Sequence, residues 1–317
     1  MSTSFASAAD AREQTARLVE LAAGCYGFVS DYDPNCGFIV GGEAVLVVDT
    51  RATPRLAREL LAAIRSVTDK PIRHLFLTHY HAVRVLGASA FGPEVTRIAS
   101  EGTREWVAQR GQADFDSELG RFPRLFQGHE EIPGLTHPQI SFPDQLTLDL
   151  GGLTVQLLHI GRGHSRGDSV AWVPERGVLF AGDLVENRCA VYAGDGYIRE
   201  WSATLARLEA LGAHAMVPGR GAPLADADAV RGAIAGTRAF LDALWQHVAE
   251  GLAQGLTRRQ VFEATRAAMA PRFGDWPVFQ HVMPFDVCRA IEEQTGGGEP
   301  SIWTEAKDRA LWAELNG

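Results

Sequence analysis

Residues 77–88 read LTHYHAVRVLGA and follow directly on a short β-like run at His74–Leu77. In extended backbone, side chains at i and i+2 point the same way, so the imidazoles of His79 and His81 can converge on one ion. Alone the pair is weak evidence, because ten histidines among 317 residues give about 0.3 such pairs by chance. Its setting strengthens it. Three further stretches also sit just past apolar runs: GRGHSRGDSV (161–170), VLFAGDLV (178–185) and MVPGRGAP (216–223). The carboxyl ends of strands are where folds built from strand–helix units collect their functional side chains.

Outward from these motifs, short β-like runs alternate with helical periods. Cys25–Val29, Gly37–Val40 and Ala44–Asp49 read as strands, the last two joined by a Gly41-Gly42 turn. Thr53-Pro54 opens a helix predicted over Arg55–Val67. A strand at Glu94–Ala99 leads into a helix near Glu101–Arg110, and residues 111–138 show no period and read as loop, lid or insertion. In the second half, Leu146–Leu150 and Leu153–His159 flank Gly151-Gly152 as a hairpin. Strands follow at Ser169–Val173 and Gly177–Ala181, then a helix at Trp201–Leu211 and a strand at Ala215–Pro218. Helical patterns close the chain at Ala227–Ala253, Thr257–Ala268, Phe285–Glu293 and Ser301–Leu315, and residues 8–22 also read as helix. The expected fold class is α+β, an αββα sandwich of two mixed β-sheets. The expected partition is an N-terminal helical segment (1–22), the sandwich (23–225) and a C-terminal helical subdomain (226–317).

Composition excludes several function classes. With 30 Lys+Arg against 39 Asp+Glu the net charge is −9, which argues against a nucleic-acid partner, since phosphate neutralisation needs a basic face. No apolar run of about 18 residues suggests a membrane span. The first twenty residues carry acids and lack the apolar core of an export signal. The expectation is a cytoplasmic protein whose scattered cysteines, Cys25, Cys36, Cys189 and Cys288, are reduced.

Taken in order, the four motifs and CGFIVGGEAVLVVDTRATP (36–54) resemble the metal motifs and opening strands of the metallo-β-lactamase fold superfamily. The nearest likeness is to its SoxH-like, quinoprotein-relay-like branch, related to glyoxalase II. The resemblance covers about residues 25–225 and leaves the C-terminal helices outside. It implies a first metal site of His79, His81 and His164, with Asp183 as the carboxylate that usually bridges two metals and Asp49 behind a ligand histidine. It also exposes departures. Val83 and Arg84 stand where the family has Asp and His, and Arg220 stands where it has the histidine of Pro-Gly-His.

Guanidinium has no lone pair for a metal and stays protonated. The expectation is therefore one metal, with Arg84 and Arg220 replacing the second dication, holding Asp183 and clamping a carboxylate, phosphate or sulfonate of the substrate. Plain ion pairing with Asp183 is the competing reading of both arginines. Arg51 is either a third donor or a surface residue, Tyr80 is expected to pack, and Cys189 is either a thiolate ligand or an inert thiol. Of the histidines outside the motifs, His281 in the tail is the one whose approach to the pocket matters. The implied function is hydrolysis of an ester, thioester, lactone or amide of a small anionic substrate, with one Zn²⁺ per chain and Asp183 as the catalytic carboxylate. Two alternatives accompany it: an iron enzyme of the persulfide-dioxygenase kind, or a non-catalytic ligand-binding relative. A homodimer through the C-terminal helices is the expected assembly.

Overall fold

The computed structural model describes residues 14–316. One sheet runs, in order, through β1 (Arg17–Ala22), β2 (Cys25–Val29), β3 (Cys36–Val40), β4 (Val45–Val48), β5 (Ile72–Phe76), β6 (Thr96–Ser100) and β7 (Ile140–Phe142). Its first four strands pair antiparallel, and from β4 onward the pairing is parallel. The second sheet orders β12 (Ala215–Val217), β11 (Val178–Phe180), β10 (Val170–Val173), β9 (Thr154–Leu158) and β8 (Gln145–Asp149), with β11 and β12 parallel and the rest antiparallel.

Period-2 alternation sends successive side chains to opposite faces. In β4, Leu46 and Val48 enter the core between the sheets, against Val155, Leu157, Val178 and Phe180. Val45 and Val47 face outward onto Ala57, Leu60 and Ile64 of α1 (Pro54–Val67). The outer face of the second sheet, with Trp172, Leu179 and Met216, is covered by α4 (Ile198–Glu209), α5 (Ala227–Ala253), α6 (Arg258–Phe273) and α7 (Phe279–Gln294). Helices, sheet, sheet, helices is the αββα layering expected from the sequence, and the helices after Asp226 share one apolar cluster with the second sheet. The two hairpin loops meet: Gly42 N–H donates to the Gly151 carbonyl, and a Cβ on Gly41 would stand 2.2 Å from the Leu150 oxygen.

Three elements differ from the sequence reading. The helix predicted over 8–22 lies partly outside the described residues; within them, Arg17–Ala22 is strand β1. Its Val19 and Leu21 face the inter-sheet core while Leu18 packs on the other face, an alternation that the Ala/Leu/Glu composition disguised. The supposed loop from 111 is the second half of α3 (Glu101–Arg121), which Ser100 caps by accepting from Thr103 N–H. Beyond Arg110 its buried stripe is Gly111, Asp114, Ser117, Glu118 and Arg121. That is a helical spacing made of non-hydrophobic residues, invisible to a search for apolar periodicity. Lastly, α7 begins at Phe279 rather than after Pro284, so its first turns, with His281, are helical.

Candidate metal centre

Strand β5 ends three residues before His79, and β4 ends one residue before Asp49, which holds a left-handed φ of 58°. That strained backbone aims the Asp49 carboxylate at Thr78. Thr78 N–H donates to Oδ1 at 2.9 Å and Thr78 O–H to Oδ2 at 2.8 Å. With its proton committed to Asp49, Thr78 Oγ1 accepts from His79 Nδ1 at 2.9 Å. The tautomer inferred from this chain of donors leaves the lone pair on His79 Nε2. That nitrogen is buried and has no hydrogen-bond partner.

His81 and His164 are oriented on the same principle. His81 Nε2 lies 3.0 Å from Asp195 Oδ2, which also accepts from Tyr80 O–H at 2.9 Å. His164 donates Nδ1–H to the Tyr192 carbonyl at 2.8 Å. The remaining nitrogens, His81 Nδ1 and His164 Nε2, face each other at 2.8 Å. The three rings stand nearly perpendicular to one another, at 81°, 84° and 89°, with centroids 4.7–5.0 Å apart. Their ligand nitrogens lie within 4.8 Å of one another, so the three rings face one shared space. An acceptor behind each ring and converging nitrogens in front, that of His79 buried and orphaned, suit a metal site of the zinc type. The residues fit the group.

Asp183 follows β11 through Gly182. Its Oδ2 lies 3.6 Å from both His79 Nε2 and His164 Nε2. Oδ1 accepts from Arg84 Nη2, which also donates to the Gly219 carbonyl at 2.8 Å, while Nη1 donates to the Asn35 carbonyl. Gly219 is obligatory here, because a Cβ would stand 2.3 Å from Asp183 Oδ1. Arg84 is 1% exposed; its two terminal nitrogens serve these three acceptors, Nε has no hydrogen-bond partner, and Asp49 Oδ2 lies 4.0 Å away. Arg84 holds Asp183 through Oδ1, the first half of what was expected of it, and is not among the residues that line the cleft. Arg220 differs. It donates Nη1 to the Tyr32 carbonyl at 3.1 Å and lines the cleft in front of the histidines.

The electrostatics follow from burial and pairing. Burial alone would raise Asp183, but the Arg84 guanidinium, then His79 and His164, hold it well below the usual carboxylate range. Burial pushes Asp49 up to about 6 despite Arg84. For His81, burial opposes the charged form, yet Asp114, the Asp195 hydrogen bond and Glu118 carry it up to about 9. Burial and the neighbouring His81 push His164 down to about 3. Asp114 and Glu118 come from the polar stripe of α3. They accept from the N–H groups of Ala82 at 2.7 Å and Val83 at 2.9 Å, at the start of the short helix α2 (Ala82–Val85).

Asp114, Asp195 and Glu118 were not anticipated. No local motif marks them, and only the helical spacing of 114, 118 and 121 carries a trace. Tyr80 packs as expected but also bonds Asp195. Cys189 is buried, with Sγ 3.9 Å from the Asp31 carbonyl, and Arg51 pairs with Glu59. Neither belongs to the histidine cluster. The tail contributes His281, Val278 and Val282 to the wall of the cleft in front of His81 and His164.

Two sheets with helices outside carry three histidines and an aspartate gathered just past strand ends. The chain belongs to the metallo-β-lactamase superfamily: the family model described as "Metallo-beta-lactamase superfamily" matches residues 29–220. It is 25% identical over 260 residues to the linear primary-alkylsulfatase of Pseudomonas sp. (strain ATCC 19151), covering 71% of this chain and 48% of that protein. Over 176 residues it is 23% identical to the metallo-beta-lactamase type 2 of Bacillus sp. (strain 170), covering 54% of this chain and 60% of that one. The solved metallo-beta-lactamase from Pontibacter korlensis superposes with a TM-score of 0.57 at 19% identity, over 72% of this chain and 99% of that one. The chain thus spans about half to three-fifths of the length of the two curated relatives. Among the described residues no helix is long and apolar enough to cross a membrane.

Proposed function

We propose that this protein is a mononuclear metallohydrolase of the SoxH-like, glyoxalase II-related branch, cleaving an ester, thioester, lactone or amide in a small anionic substrate. The observation that carries the single-metal reading is the Arg84 guanidinium, buried against Asp183 where the family places second-site ligands. His79 Nε2, His81 Nδ1 and His164 Nε2 would hold the ion, with Asp183 Oδ2 beside them. Bound there, zinc supplies a Lewis acid for the substrate carbonyl and lowers the pKa of a water to near 7.

The chain's own residues do the rest. Arg84 takes Asp183 Oδ1 and leaves Oδ2 turned toward the histidines. A carboxylate held so far below its usual range orients an attacking water by accepting its O–H, and does not retain the proton. Asp49 through Thr78, Asp195 and the Tyr192 carbonyl fix the three imidazoles, so little reorganisation accompanies reaction. Arg220 gives the cleft a cation for an anionic group. The likeness to an alkylsulfatase, a protein named for an anionic substrate, supports that preference.

Metal analysis tests the reading. Wild-type protein should carry one equivalent of zinc, and the triple variant V83D/R84H/R220H should carry two. Two equivalents in the wild type, or iron with oxygen consumption, would overturn it.

A further inference from the structure

The wall of the cleft opposite the Asp183–Arg84 pair carries buried polar atoms that the hydrolytic reading leaves idle. His281, 1% exposed, has neither ring nitrogen hydrogen-bonded, and the Tyr192 hydroxyl and Arg121 Nε are likewise without hydrogen-bond partners. Buried polar groups are paired in the great majority of cases, so several orphans on one wall call for an explanation. All three side chains line the same cleft. Phe285 is their scaffold: its ring lies 5.7 Å from His281, 6.0 Å from Tyr192 and 4.6 Å from the Arg121 guanidinium. Phe122 packs against the other side of His281 at 4.1 Å. Tyr192 stands 5.8 and 5.9 Å from the His81 and His164 rings, which places this wall next to the metal centre.

The charges facing this wall favour an anion. Arg220 shares the lining, and Arg121 is only loosely engaged by Asp308, 3.6 Å from its Nε. The acids lining the cleft are already engaged, Glu118 Oε2 by Val83 N–H and Asp183 Oδ1 by Arg84, while Asp114, Asp195 and Asp308 stand behind the wall. Burial, then the two guanidiniums of Arg121 and Arg220, keep His281 neutral, with one N–H to donate. An imidazole N–H, a phenol O–H and guanidinium donors around one space suit a multi-oxygen anion.

We infer that His281, the Tyr192 hydroxyl and Arg121 form an oxyanion-binding subsite, supplied by the tail helix α7, the loop before α4 and the end of α3, that takes the carboxylate or sulfate group of the substrate. This rests on the proposal that the cleft serves an anionic substrate. Arg121 and Tyr192 belong to the lactamase-like segment and His281 to the helical tail, so the subsite explains why the tail folds over the cleft.

Binding of succinate and of methyl sulfate, measured by calorimetry on zinc-loaded protein, tests it in wild type, His281→Leu and Tyr192→Phe. Leucine fills the imidazole's place without orphaned nitrogens, so folding should be kept or improved. The expected result is binding in wild type by at least one of the two anions, weakened tenfold or more in each variant, at unchanged zinc content. The preferred probe identifies the group as carboxylate or sulfate. Equal binding in wild type and variants, or no binding of either anion by wild type, would overturn the subsite. Zinc missing from wild type would instead sink the proposed function, and repeating the anion titration on that metal-free protein would still decide the subsite.

Discussion

Replacing Arg84 by methionine removes the guanidinium while keeping most of the aliphatic stem, so packing changes little and charge changes fully. Arg84 is 1% exposed and donates to Asp183 and to the Gly219 and Asn35 carbonyls, with Asp49 4.0 Å away. Deleting one member of a buried ion pair costs about 3–5 kcal/mol, because the partner charge stays behind without compensation. Against a total stability of about 5–15 kcal/mol, that loss moves the urea midpoint of the metal-free protein substantially at constant m. Asp183→Asn alone strands the arginine instead. The double variant leaves neither charge, so its loss should fall short of the sum of the singles by about 2 kcal/mol. Asp183 is held below its ordinary value of 3.8, so its ionised pairing stabilises the fold above that pH and is lost as pH falls through the depressed value. The gap between wild type and R84M should accordingly shrink in acid. An R84M loss under about 1 kcal/mol, or strict additivity in the double variant, would refute the claim that this guanidinium neutralises Asp183.

Two further outcomes follow from the backs of the histidines. Asp195→Asn weakens the acceptor behind His81, and zinc affinity, read by competition with a chelating dye, should drop about 10–100-fold; unchanged affinity would remove Asp195 from the site. Because carboxylates hold His81 up to about 9, zinc must displace a proton from it. Affinity should therefore climb about tenfold per pH unit from neutrality toward 9, with proton release visible as a buffer-dependent binding enthalpy; a buffer-independent enthalpy would contradict this.

The layered fold was legible because its signal is local. The continuous apolar run at Val45–Val48 and the strand-end positions of His79 and Asp183 are written in a few consecutive residues each. The helix through Arg121 was not, because its buried face past Arg110 is glycine and polar residues, and those face inward only where charged neighbours compensate them. Strand β1 was hidden for a related reason: helix-forming residues were overridden by hairpin pairing with β2, an interaction between segments that single-residue propensity does not encode.

The two arginines draw the same boundary. That neither can ligate a metal follows from guanidinium chemistry and was fixed by residue identity at positions 84 and 220. What each does was decided by the folded chain, which buries Arg84 against Asp183 and turns Arg220 to the cleft. Residue identity determines the chemistry a side chain can offer. Its partners come from strands and helices up to 191 positions apart, as in Ser117 with Asp308, and only packing brings those into contact.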